Sequence, residues 1–240
     1  MDLTIIWESL PRLLGGALLT LEITGLSILI GLALAVPLAI MRLSDKSYIR
    51  IPVYSYIFYF RGTPLLVQLF LVYYGSGQFQ EFLDRVGLWL FFREAYFCAV
   101  LTLTLNTAAY TAEILRGSIQ SIPRGEVEAA RAHGMSSVLL YRRIVLPKAF
   151  RLALPAYTNE VIFLLQATSL VSIITLLDLT GVARIIVARS FEPYKLYIAA
   201  GVIYLLITYV ILYISKRVEH RLSAHLRKRS SPNVSPSNFR

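Results

Sequence analysis

Residues 126–147 read EVEAARAHGMSSVLLYRRIVLP, a basic, helix-forming segment that interrupts a chain otherwise dominated by long uncharged stretches. The side of a membrane on which this island lies decides how the whole chain is threaded. Working outward from it, residues 23–41, 62–80, 95–112, 161–177 and 196–215 contain no Asp, Glu, Lys or Arg. Each block is close to the ~20 apolar residues that carry a helix across hydrocarbon. Backbone groups in lipid must pair within the segment, which selects helices. With 56% hydrophobic and 16% charged residues in 240, the chain is predicted to be an all-α membrane protein with five transmembrane helices.

The net charge of +10 raises the question of a nucleic-acid partner, and its placement answers it. If 116–151 is cytoplasmic, that loop holds seven of the 24 Lys and Arg residues. The turn 42–50 holds three on the same side, and the C-terminal tail seven more. Arg12, Arg85, Arg93, Arg184, Arg189 and Lys195 fall on the other side, and Arg61 lies within a span. This is the asymmetry of the positive-inside rule. It predicts an outer N-terminus, a cytoplasmic C-terminus and no nucleic-acid partner.

The expected organisation is an outer N-terminal lead (1–12), a membrane domain (13–217) and a cytoplasmic basic tail (218–240) whose end is disordered. Pro11 is a plausible start for the first helix. The second span, about 53–75, is expected to bend at Arg61-Gly62-Thr63-Pro64, where proline removes a backbone donor. Residues 76–94 and 178–195 read as outer loops, the former with a short interfacial helix near Trp89. Within 117–148, residues 125–143 have helix-forming composition, with Gly134 allowing a sharp turn or a close contact. The lone Cys98 excludes an intramolecular disulfide or a cysteine metal cluster.

The spacing inside the opening stretch is specific. Glu128-Ala129-Ala130 is followed after three residues by Gly134, and after nine more by Ile144-Val145-Leu146-Pro147. This resembles the E-A-A-x3-G-x9-I-x-L-P signature of permease subunits in bacterial ABC importers. FRGTPLLVQ (60–68), NTAAYTAEILRGSIQSIP (106–123) and PAYTNEVIFLLQATSL (155–170) resemble permeases for polar amino acids, nearest the histidine, lysine, arginine and ornithine type. The resemblance implies a type I permease fold in the inner membrane. It also implies a second permease subunit, homologous or identical, a dimer of ATP-binding subunits, and a periplasmic solute-binding protein at the outer loops. Glu128, Ala129, Ala130, Gly134, Ile144, Leu146 and Pro147 would form the ATPase-coupling element. From composition alone, the loop equally suits a basic helix lying on anionic membrane lipid.

No phosphate loop of the form G-x-x-x-x-G-K-[ST], His-Glu-x-x-His zinc motif or G-x-S-x-G elbow occurs. The chain is therefore read as a transport subunit with no cofactor of its own, ATP and Mg being bound by the partner. Ionisable groups within spans mark functional positions. Glu160, nine residues beyond Arg151, lies near mid-membrane, with Asn159 beside it and Gln166, Thr168 and Ser169 further along. These five form the expected substrate site. A structural ion pair between Glu160 and Arg61 competes with that reading, and Glu113 is expected to pair locally with Arg116. Glu22, in the outer half of span one, is either an attractor for an entering cation or an interfacial residue.

Related permeases read L-L-K-D-T-S-L where this chain has Leu164-Leu165-Gln166-Ala167-Thr168-Ser169-Leu170. Loss of the lysine removes a positive charge from the pathway, which favours basic over acidic amino acids. A proton-coupled secondary transporter using Glu113 and Glu160 is the alternative.

Overall fold

In a computed structural model, residues 4–227 are described, with side chains through 222. The described residues are helical and contain no strand. The first helix, α1 (Thr4–Arg42), is followed by α2 (Ser47–Gly62), α3 (Leu65–Gln78) and the short α4 (Gln80–Arg85) and α5 (Trp89–Phe92). Then come α6 (Ala95–Gln120), α7 (Arg124–Ala132), α8 (Ser137–Leu140) and a π turn at Tyr141–Val145. A long α9 (Leu146–Ala167) runs into a 3-10 segment (Thr168–Ile174), and α10 (Leu179–Ser190) and α11 (Pro193–Arg227) complete the order. Four helical stretches are long and apolar enough to cross a membrane, and α2 and α3, which reach that length and apolarity only together, add a fifth if the bent pair forms one span.

The bundle is organised around α6. Of its most apolar window 61% is buried, against 6% for α11, so α6 is the central helix and α11 a peripheral one. Close approach of α1 to its neighbours depends on small residues, as expected where lipid supplies no hydrophobic drive. Gly16, Ala17, Thr20, Thr24, Ser27, Gly31, Ala35 and Ala39 form its buried stripe. A Cβ on Gly31 would lie 2.5 Å from Thr107 Cγ2, and one on Gly16 would lie 2.8 Å from the Asp178 carbonyl oxygen. Ala35, Val53, Ile57, Ala112 and Ala153 form one core cluster of the bundle. Ile23, Leu69, Leu103, Leu164 and Ile174 fill the middle.

Several boundaries differ from the sequence reading. Helix α1 runs from Thr4 and carries Pro11 inside it, because Ile5 and Leu10 pack on the same cluster as Leu13, so the described part of the lead, residues 4–12, is helical. The second span is broken rather than bent, with α2 and α3 meeting at 104°. Residues 178–195 are not an open loop: Asp178 caps α10, accepting from Gly181 N (2.9 Å) and Thr180 N (3.1 Å). Leu179, Val182, Ala183 and Ile186 then bury one face of α10 against α1 and α11. Residues 125–143 form two short helices instead of one, because Gly134 takes φ +76°. Helix α11 continues to Arg227, so the start of the basic tail is helical, and residues 228–240 lie outside the described residues.

Candidate functional site

The break between α2 and α3 leaves the last carbonyls of α2 without helical partners. Two amides from neighbouring helices take them up. Gln68 Nε2 donates to Phe60 O (2.9 Å), Thr63 O (3.1 Å) and Thr63 Oγ1 (2.7 Å). Asn106 Nδ2, on α6, donates to Phe60 O (3.2 Å) and to Gln68 Oε1 (2.9 Å). Both amides are buried, at 2% and 8% exposure. A buried, mutually satisfied network of this kind rigidifies the backbone it holds, and here it fixes the 104° corner.

That corner opens onto a cavity of about 370 Å³ walled by Thr63, Asn106, Tyr110, Glu160, Leu164 and Ala167, among others. Glu160 comes from α9 and is 8% exposed. One of its oxygens accepts from Thr107 Oγ1 of α6 at 2.9 Å. Tyr110, one turn from Asn106, donates to the Arg61 carbonyl (3.4 Å), and the Arg61 guanidinium lies 5.3 Å from the Tyr110 ring centroid. The Glu160–Arg61 ion pair, the competing reading, is not formed. The cavity is a pocket with a carboxylate, an amide and two hydroxyl-bearing residues, within a mostly apolar wall.

Of the five residues expected at the substrate site, only Glu160 reaches this cavity. Asn159 and Gln166 are exposed on an adjoining face of α9, since one helical residue turns about 100° and moves a side chain to the next face. Thr168 is fully buried and donates to the Leu165 carbonyl (2.6 Å), and Ser169 is half-buried in the 3-10 segment. Glu113 pairs with Arg116 at 2.6 Å, as expected. Glu22 accepts from the Tyr96 hydroxyl (2.7 Å), a tie between α1 and α6. Gln68, Asn106, Thr107 and Tyr110 were not singled out by sequence. The available signal was an amide or hydroxyl inside an uncharged block, next to the helix-breaking Gly62-Thr63-Pro64.

The second region is the loop between α6 and α9. Glu128, Ala129, Gly134 and Pro147 are exposed, Ile144 and Leu146 are half-buried, and Ala130 turns inward. Ala130 packs with Ile122, Leu140, Val145 and Ala149, a small core that holds the loop against the start of α9. Glu126 and Lys148 form an ion pair across it.

Comparison with known proteins gives the family to which this fold belongs. Residues 5–224 match the family model for the binding-protein-dependent transport system inner membrane component. The chain is 50% identical over 229 residues to the nopaline transport system permease protein of Agrobacterium fabrum, covering 95% of each. It is 44% identical over 227 residues to the histidine/lysine/arginine/ornithine transport system permease protein of Escherichia coli, again covering 95% of each. A solved amino acid ABC transporter chain superposes with a TM-score of 0.80 at 34% identity, over 92% of this chain and 99% of that one. In these relatives the permease is a transport subunit and the ATPase a separate one. The chain therefore belongs to the binding-protein-dependent inner membrane component family and is a multi-pass permease subunit of an amino-acid ABC importer, not an enzyme.

Proposed function

We propose that this subunit passes basic amino acids (arginine, ornithine, lysine or histidine) into the cell, with Glu160 receiving the cationic group. The observation that carries this reading is Glu160 itself: a carboxylate at the wall of a cavity within the bundle, bonded to a neutral threonine rather than to a cation. A charge so placed is costly unless a counter-charge visits it. The E. coli relative is named for histidine, lysine, arginine and ornithine. Others are named for nopaline and octopine, which extends the class to related solutes.

In this reading the N-terminus faces outward and the C-terminus the cytoplasm, as the cation asymmetry requires. The 117–148 loop then meets ATP-binding subunits, which bind ATP and Mg, through Glu128, Ala129, Gly134 and Pro147. The outer mouth receives solute from a periplasmic binding protein, and a second permease subunit completes the pathway. Family membership in an ATP-driven importer leaves the proton-coupled alternative without support. Uptake by the reconstituted complex tests the substrate class. Arginine, ornithine, lysine and histidine should compete with one another, and glutamate should not. Equal competition by glutamate would remove the basis for assigning Glu160.

A further inference from the structure

The coupling loop reaches α9 by two routes that differ in stiffness. Along the chain, α7 is separated from α9 by Gly134 at φ +76°, the four-residue α8 and the π turn Tyr141–Val145. No rod connects them: one position is a left-handed corner, and a π turn interrupts the regular helical ladder. Through space the path is short. Glu126, in the first turn of α7, pairs with Lys148 Nζ in the first turn of α9. One turn further on, Ala130 of α7 packs with Val145 and Ala149. Residues 126 and 130 lie on one face of α7, at i and i+4. Lys148 is twelve residues before Glu160 on one helix, a rise of roughly 18 Å.

We propose that the Glu126–Lys148 ion pair is a brace that makes α9 follow α7 when the coupling loop is withdrawn. The proposal rests on reading the 117–148 loop as the ATPase-coupling element. The two contacts do different mechanical work. Packed alanines resist compression, so Ala130 against Ala149 transmits a push. Short-range van der Waals contact gives little against separation or sliding. An attraction between opposite charges acts over a longer range and opposes separation. The inward stroke is thus served by packing, and the return stroke by the ion pair. Neither Glu126 nor Lys148 belongs to the Glu128-to-Pro147 signature. The brace is a positioning element that acts through α9 and touches no substrate.

The pair is partly solvated, with side-chain exposures of 40% for Glu126 and 44% for Lys148. Its loss is therefore expected to change coupling more than insertion. Arg143, Arg151 and His133 line the same groove. Neutralisation alone could recruit one of them, so charge reversal and double reversal give the cleaner test.

The complete importer, with its ATP-binding subunits and solute-binding protein, is reconstituted into proteoliposomes. The readout is ATP hydrolysed per amino acid imported, for the parent, Glu126→Lys, Lys148→Glu and the double reversal. Each single reversal should raise the ratio by roughly two- to fivefold, the range a partly solvated ion pair can supply. The double reversal should return it to the parent value. Glu126→Gln, which keeps the size and leaves no carboxylate of the pair for Arg143, Arg151 or His133 to join, should behave like Glu126→Lys and serves if the reversal assembles poorly. An unchanged ratio in the single variants, or a double variant no better than either single, overturns the brace. A parent complex whose hydrolysis ignores substrate overturns the coupling reading as well, which separates the two failures.

Discussion

Glu160 and Glu128 are both acidic residues, proposed to meet the solute and the ATPase respectively, and their surroundings are opposite. Glu160 is 8% exposed, bonded to Thr107, and shares its cavity with residues of α6 and of the corner between α2 and α3. The hydrogen bond that orients it comes from α6 of the same chain. Glu128 is exposed on α7 beside exposed Ala129, and the next short helix presents Val138 at 78% exposure. The contrast fits a passage built within the bundle and a drive completed by a partner.

The sharpest way to break that contrast is to damage the pre-built half. Asn106→Leu removes two donated hydrogen bonds and strands Gln68 Oε1 in the interior. Each orphaned buried group costs about 1–3 kcal/mol. The complex should melt at a lower temperature and lose uptake, and an unchanged melting point would mean the corner does not need its amides. Next in size is Gly31→Val, whose Cβ would sit 2.5 Å from Thr107 Cγ2. Overpacking of this kind costs about 1–3 kcal/mol, and it pushes on the threonine that holds Glu160. Uptake should fall and should recover in part when Thr107→Ser, which keeps the hydroxyl and removes the methyl, is added. No recovery would place the clash elsewhere.

Substitutions in the open half should leave the fold nearly intact. Gly134→Ala forces a side chain into the left-handed region at about 1–2 kcal/mol, with open space around it. Glu128→Lys changes only an exposed charge. Both should insert at parental levels, measured by quantifying the subunit in membranes. Substrate-stimulated ATP hydrolysis should fall several-fold in Gly134→Ala and be lost in Glu128→Lys. Parental hydrolysis in both would show that the exposed loop is not the contact with the ATPase.

The fold was largely legible because charge-free blocks and cation placement are one-dimensional signals. Helix α10 escaped because Arg184 and Arg189 interrupt a segment of 12 residues, too short to span and too charged to suggest burial. Its spacing of Leu179, Val182, Ala183 and Ile186 was nonetheless that of an amphipathic helix. The break at Pro64 was readable, but its angle was not, since the angle is held by Gln68 and by Asn106, 38 residues apart. Glu160 stood out as a charge in apolar surroundings. Asn159 and Gln166 were grouped with it by proximity in sequence, whereas helical rotation places them on another face. Thr107, the residue that orients Glu160, lies 53 positions away and leaves no local trace.

Selection of a cationic solute by Glu160, apart from the loop proposed to drive transport, is read most plainly from ATP hydrolysis of the reconstituted importer, parent against Glu160→Gln, with saturating solute-binding protein and arginine. Glu160→Gln keeps the size and the acceptor for Thr107 but removes the charge. Basal hydrolysis should persist while arginine stimulation falls about tenfold or more, the scale of a lost charged hydrogen bond. Full arginine stimulation in Glu160→Gln would contradict that selection.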